Sequence, residues 1–200
     1  MAFDFDGTLT VRDSYTAFLK WRTPRLKWLL GGLRLVPAAF AYLLDRDRGR
    51  IKAAATKVFL AGVTRERLEE DARRFAGLYS RSLLRPDAVI AWKRWRKGQV
   101  RLVIVTASPD IVVAPFARGL GADEILGTPL EFDERGRVTG AFASPNCRAA
   151  EKVVRIHAAF GPDVRVLAAY GDTEGDTEML AMAEEPYYRV FTDSPKPARP

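Results

Sequence analysis

Two carboxylates stand one residue apart near the start of the chain, in Met1-Ala2-Phe3-Asp4-Phe5-Asp6-Gly7-Thr8. Asp4 and Asp6 have the same parity along an extended chain, so they can point into one crevice. A short apolar run leads into them and Gly7-Thr8 breaks it. That predicts a buried strand ending at the acids, and open α/β sheets bind ligands at such carboxyl ends. Two carboxylates that close need a shared proton or a cation. Mg²⁺ prefers hard oxygen donors of this kind. A turn after an edge strand, with Asp4 solvated, fits this stretch equally well when it is taken alone.

Three later stretches carry the same signature. Thr106-Ala107-Ser108 follows the apolar run Leu102–Val105 and precedes a helix. Hydroxyls beside the N–H groups of a helix N-terminus can cradle a phosphate, or Thr106 or Ser108 can simply cap the helix. Lys152 lies early in a helix, where the helix dipole disfavours a cation, although most single lysines are solvated. Gly171-Asp172-Thr173-Glu174-Gly175-Asp176 places Asp172 just past a buried strand and Asp176 four residues on. A third carboxylate at a strand end suits an octahedral metal site opposite Asp4.

The elements that must position these groups alternate. Residues 11 to 84 read as helices, beginning at an Asp13-Ser14 cap near Tyr15. The most apolar stretch, Trp28 to Leu44, is shorter than a spanning helix and holds Arg34, Gly31-Gly32 and Pro37. Its preferred reading is the packed interior of a small helical bundle. The alternative is an apolar surface lying on a membrane, flanked by Lys20, Arg22, Arg25 and Lys27. Residues 45 to 50 form a polar break. After Pro86 come a basic helix, the strand Arg101–Thr106, a helix from Pro109-Asp110, and a hairpin of Thr128–Phe132 with Val138–Phe142. A helix at Arg148–Phe160, the strand Arg165–Tyr170, a short helix and a last strand at Tyr187–Phe191 follow. Asp193–Pro200 is expected to fray. Strands alternating with helices predict an α/β fold of three layers, a Rossmann-like parallel sheet covered on both faces.

With four motifs in this order, the chain resembles the haloacid dehalogenase-like hydrolase superfamily, in the branch that contains phosphoserine phosphatase. The motifs are DFDGTLT at Asp4–Thr10, VIVTAS at Val103–Ser108, Lys152, and GDTEGD at Gly171–Asp176. The resemblance implies a discontinuous catalytic core, 1–11 with 85–200, and an inserted helical cap, 12–84. It implies an aspartyl-phosphate formed on Asp4, with Asp6 as general acid and then base. Thr106 and Lys152 would bind the phosphoryl group. Mg²⁺ would be held by Asp4, the Asp6 carbonyl and Asp172, with Asp176 behind them. Asp6 points to phosphate ester hydrolysis, because dehalogenase members lack that second acid and ATPase members carry Thr there.

The substrate is less constrained. Asp13 falls where phosphoserine phosphatases carry a Glu that meets the substrate amine, and Lys57 near an Arg that clamps its carboxylate. Ala107-Ser108 stands where those enzymes have Gly-Gly. The apolar, basic stretch from Arg22 to Leu44 and the Tyr188-Arg189-Val190 ending are similar to bacterial phosphatidylglycerophosphatases of the same superfamily. Expected partners are therefore a phospholipid head group, with peripheral membrane contact through the cap, or a phosphorylated small molecule. A catalytically idle phospho-ligand or partner-binding protein is the third reading.

Composition agrees with a soluble globular chain: 200 residues, 48% hydrophobic and 28% charged. A single cysteine, Cys147, excludes an internal disulfide, and one histidine, His157, excludes a His-rich metal site. The net charge of +7 is concentrated between Arg12 and Arg101, which hold about 22 basic and about 8 acidic residues. Such a segment attracts anions, but no nucleic-acid module accompanies it. If Met1 is the native start, no secretory signal precedes the motif and a cytoplasmic location is expected.

Overall fold

The computed structural model describes residues 1–45 and 48–195. Arg46 and Asp47 of the expected polar break, and 196–200 of the expected frayed tail, lie outside the described residues.

The chain starts with strand β1 (Ala2–Phe3) and then runs through four helices: α1 (Ser14–Arg22), α2 (Arg25–Asp45), α3 (Arg48–Leu60) and α4 (Arg65–Leu83). Helix α5 (Pro86–Arg96), β2 (Val103–Pro109), α6 (Asp110–Leu120) and β3 (Glu124–Thr128) follow. A hairpin of β4 (Leu130–Phe132) and β5 (Val138–Phe142) leads to α7 (Ala150–Phe160) and β6 (Val166–Gly171). A single 3-10 turn (Glu174–Asp176), α8 (Thr177–Ala181) and β7 (Ala183–Tyr188) end the described order.

Five strands form a parallel sheet in the order β3-β2-β1-β6-β7, as the α/β reading expects. Ala2 pairs with Val103 and Ala169, and Phe3 with Ile104 and Tyr170. Side-chain alternation divides the core into two layers. Phe3, Ile104, Ala168 and Tyr170 face the α5 and α6 side, while Ala2, Val103, Val105 and Ala169 face α7 and α8. Phe3 stacks on Tyr170 at 4.2 Å, Tyr170 stacks on Tyr187 at 4.6 Å, and Trp92 closes on Phe3 at 4.9 Å. Each such ring contributes on the order of 1.5–3 kcal/mol by leaving water.

The helical segment is rooted in this core. Phe5 meets Phe116 of α6, Phe116 meets Phe75 of α4, and Phe75 meets Phe18 of α1, at 5.5, 6.0 and 5.5 Å. The β4–β5 hairpin braces α3 from the other side. Gly140 (φ +99°) lies so close to Lys57 that a Cβ there would sit 2.8 Å from the Lys57 Cα.

Helix α2 corrects the preferred sequence reading. It is not the interior of a bundle. Trp28 stacks on Phe59 of α3 at 4.8 Å and Gly31 is buried beneath it. Leu26, Leu29, Leu30, Leu33, Val36 and Phe40, however, are all more than half exposed. With α3 under one face and nothing among the described residues over the other, α2 presents an apolar stripe to solvent. No helix among the described residues is long and apolar enough to cross a membrane.

Two strand expectations also shift. The strand at the β3 edge was not foreseen, and the last strand lies at Ala183–Tyr188 rather than Tyr187–Phe191. Thr192 and Asp193 are tied down, since they donate backbone N–H groups to Asp87 at 2.7 and 3.0 Å.

Candidate active site

The sheet changes direction between β1 and β6. Successive strands run from β1 outward to β2 and β3, and the chain then returns to β6 on the opposite side. Such a switch point opens a crevice at the carboxyl ends. Asp4 follows β1 and Asp172 follows β6, one on each side of it. The crevice has a volume of about 260 Å³ and is lined by Asp4, Asp6, Asp13, Lys52, Thr106, Ala107, Asn146, Arg148, Lys152, Asp172 and Asp176, among others.

Lys152 is the pivot. Its side chain is buried in the first turn of α7, and its ammonium donates to Asp4 Oδ1 at 2.6 Å, Asp176 Oδ1 at 2.6 Å and the Val105 carbonyl at 2.7 Å. All three ammonium donors are used. Burial disfavours the charged amine, but the Asp4 and Asp176 carboxylates outweigh it and raise its pKa. The turn that delivers Lys152 is strained: Ala149 has φ 55° and ψ −133°, and its N–H is held by the Gly175 carbonyl at 2.8 Å. Backbone in such a region costs about 1–3 kcal/mol and persists where the surroundings over-determine it.

Asp4 is almost fully buried, and burial pushes its carboxyl up to about 7 despite Lys152. Asp6 accepts from the Ser14 N–H at 2.7 Å and from the Ser108 hydroxyl at 2.5 Å. Burial, reinforced by the Asp13 carboxylate, raises its pKa as well. Asp6 is thus a fixed carboxyl with a tendency to hold a proton. Thr106 is buried after β2, and its hydroxyl accepts the Ser108 N–H at 3.1 Å.

The acids opposite are ordered by the loop after β6. Asp176 Oδ2 accepts from the Thr173 N–H and hydroxyl at 2.9 and 3.0 Å, and from the Asp172 N–H at 3.2 Å. Asp172 Oδ1 accepts from the Thr8 hydroxyl at 3.1 Å, and burial raises its pKa. Gly7 (φ +91°) makes room for it, because a Cβ at Gly7 would lie 2.3 Å from Asp172 Oδ2. Asp4, Asp172 and Asp176 each offer an oxygen within 4.8 Å of the others. A hard-oxygen set of this density around a glycine clearing fits a divalent cation such as Mg²⁺.

Of the ten residues singled out from sequence, nine gather at this crevice or directly behind it. Asp4, Asp6, Asp13, Thr106, Ala107, Lys152, Asp172 and Asp176 line it, and Ser108 stands behind Asp6. Lys57 does not: it is exposed and packs on Gly140 of β5. The ammonium that enters from α3 is Lys52, 3.3 Å from the Ser108 hydroxyl and 3.7 Å from Asp13 Oδ2. Sequence reasoning also missed Asn146 and Arg148. A polar Asn-Cys-Arg loop just before the Lys152 helix was the available signal.

The model of the haloacid dehalogenase-like hydrolase family matches residues 1–181. Protein CicA of Caulobacter vibrioides is 59% identical over 196 residues, spanning 98% of this chain and 87% of that protein. The histidinol-phosphatase of Neisseria meningitidis is 23% identical, over 92% of this chain and 86% of that protein. Among solved structures, a protein of unknown function from Bordetella pertussis aligns with a TM-score of 0.74 at 24% identity, covering 90% of this chain and 84% of that one. A substrate-bound phosphoserine phosphatase aligns at 0.60 and 17% identity, over 91% and 81%. These structural likenesses establish a shared fold.

Proposed function

Since the chain belongs to the haloacid dehalogenase-like hydrolase family, we propose that it is a phosphatase that hydrolyses phosphoric monoesters through an aspartyl-phosphate on Asp4. The observation that carries this reading is the Lys152 ammonium fixed 2.6 Å from Asp4, with Asp6 held beside it.

Lys152 holds Asp4 Oδ1, and Oδ2 attacks phosphorus. The P–O bond to the leaving alcohol breaks as Asp6 gives that oxygen its proton. Asp6 then takes a proton from water, the water oxygen displaces Asp4 from phosphorus, and orthophosphate leaves. The Thr106 hydroxyl donates to a phosphoryl oxygen, and the Lys152 charge fixed beside Asp4 offsets the phosphoryl charge, so that an anion can meet an anion. Asp4, Asp172 and the Asp6 backbone carbonyl would hold Mg²⁺, with Asp176 supporting from behind. When bound, the ion supplies charge neutralisation on the phosphoryl oxygens.

Two features bear on the leaving group. The exposed apolar stripe of α2, on the helical segment we read as a cap, favours a lipid phosphate of the phosphatidylglycerophosphate kind. The Asp13–Lys52 pair, a carboxylate beside an ammonium at the crevice, complements the amine and carboxylate of a small zwitterion, and favours a phosphoserine-like metabolite. A panel of phosphate esters with Mg²⁺ tests the proposal. Turnover of an aryl phosphate should fall at least about a thousandfold in Asp4→Asn with the fold retained. Equal turnover in Asp4→Asn would overturn the mechanism, and the preferred ester would decide the leaving group.

A further inference from the structure

The apolar stripe of α2 borders a second concavity remote from the chemistry. A groove of about 860 Å³ runs between α2, α3 and α4. Its cationic lining is Arg22, Lys27, Arg34, Arg67 and Arg74, against Asp71 as its acid. Asp71 already accepts from Arg22 at 2.9 Å and forms an ion pair with Arg67 at 3.2 Å, and Arg67 also pairs with Glu70 just outside the groove at 3.3 Å, which leaves Lys27, Arg34 and Arg74 without an acid within the lining. Leu30 belongs both to the groove and to the stripe. From Arg25 to Leu44 the sequence holds no Asp or Glu. At 100° per residue, Leu26, Leu29, Leu30, Leu33, Val36 and Phe40 fall on one side of the helix, and Arg25, Lys27 and Arg34 fall on its two flanks.

From this juxtaposition we propose that α2 docks in the plane of an anionic bilayer, its leucine stripe in the interface and its basic flanks and groove on the head groups. An apolar stripe rimmed by cations is what an interfacial helix requires. A second copy of the chain fits poorly, because pairing through this stripe would bring the basic flanks of two helices together with no Asp or Glu between Arg25 and Leu44 to meet them. The surface deepens the reading above, in which a lipid phosphate is one substrate class, but its test does not depend on turnover. The link to the crevice is α3, which carries Lys52 into the crevice and Phe59 beneath Trp28 of α2.

Flotation of the full chain with vesicles of equimolar phosphatidylcholine and phosphatidylglycerol tests it, with pure phosphatidylcholine as reference. Binding to the mixed vesicles should be at least roughly tenfold stronger than to phosphatidylcholine and should weaken as salt rises. Leu29→Asp with Leu33→Asp should abolish it, and Lys27→Glu with Arg34→Glu should weaken it by roughly tenfold or more. All four residues lie outside the crevice, so unchanged aryl phosphate turnover and unchanged circular dichroism show that these variants fold. The proposal is overturned if the wild-type chain ignores anionic vesicles at low salt, or if the two aspartates leave binding intact. It is also overturned if, without vesicle binding, the chain shows a concentration-dependent doubling of mass that the two aspartates abolish.

Discussion

Lys152 joins two carboxylates that would otherwise repel inside the protein. Breaking a buried ion pair from one side leaves an uncompensated charge, at a cost of about 3–5 kcal/mol. Lys152→Met should therefore lower unfolding free energy in urea by about that amount. Adding Asp176→Asn should restore part of it, because the second change removes one of the stranded charges. Purely additive losses would show that Asp176 does not act through Lys152. Gly7 makes a sharper demand. Ala there would force a left-handed φ on a residue with a side chain and drive its Cβ into Asp172. Gly7→Ala should cost about 1–3 kcal/mol and most of the aryl phosphate turnover. Full activity in that variant would mean that Asp172 can move without consequence.

At the scale of elements, Asp87 in the first turn of α5 pins the segment after β7. Slight burial pushes its carboxyl up, but the N–H groups of Asp193, Thr192 and Ala88, with the Arg85 guanidinium, outweigh that and hold it below the usual aspartate range. A depressed folded value stabilises above the unfolded value of about 3.9 and loses that contribution as pH falls through the lower folded one. The Thr192 and Asp193 amide resonances should titrate together with a midpoint below about 3.9, and Asp87→Asn should remove the step. A midpoint at or above that value contradicts the anchor. Sequence pattern located β2 and β6 because continuous apolar runs end at turn residues there. It missed β3, since Glu124-Ile125-Leu126-Gly127-Thr128 offers two apolar residues and lies at the sheet edge. Lys52 and Lys57 lie five residues apart on α3, roughly 140° around it, so the choice between them follows from how α3 seats on β5. For α2 the apolar content was legible but the exposed face was not, because Trp28, Gly31 and Leu35 on its inner side read much like Leu29, Leu33 and Val36 on its outer one.

At the scale of the whole molecule, the four motifs were legible because each ends a strand or opens a helix on one edge of one sheet. The strained Ala149 turn and the Thr8–Asp172 contact were not, since they depend on loops meeting across long sequence separations. If Asp4, Asp172 and the Asp6 carbonyl hold a cation in the folded chain alone, Mg²⁺ at about a hundred times its Kd should add about 2.7 kcal/mol of stability. For a chain of this size that raises Tm by roughly 5–10 °C. Asp172→Asn should remove most of the gain, and a Tm indifferent to Mg²⁺ and chelator would argue against the site. The placement of the indoles has a practical consequence. Trp92 and Trp95 lie on α5 beside the sheet, whereas Trp21 and Trp28 belong to the helical segment, Trp28 directly beneath the leucine stripe. Variants retaining one fluorophore at a time can therefore watch the two halves of the molecule separately, and a change in emission colour confined to position 28 would locate an event on the outer helix without any added label.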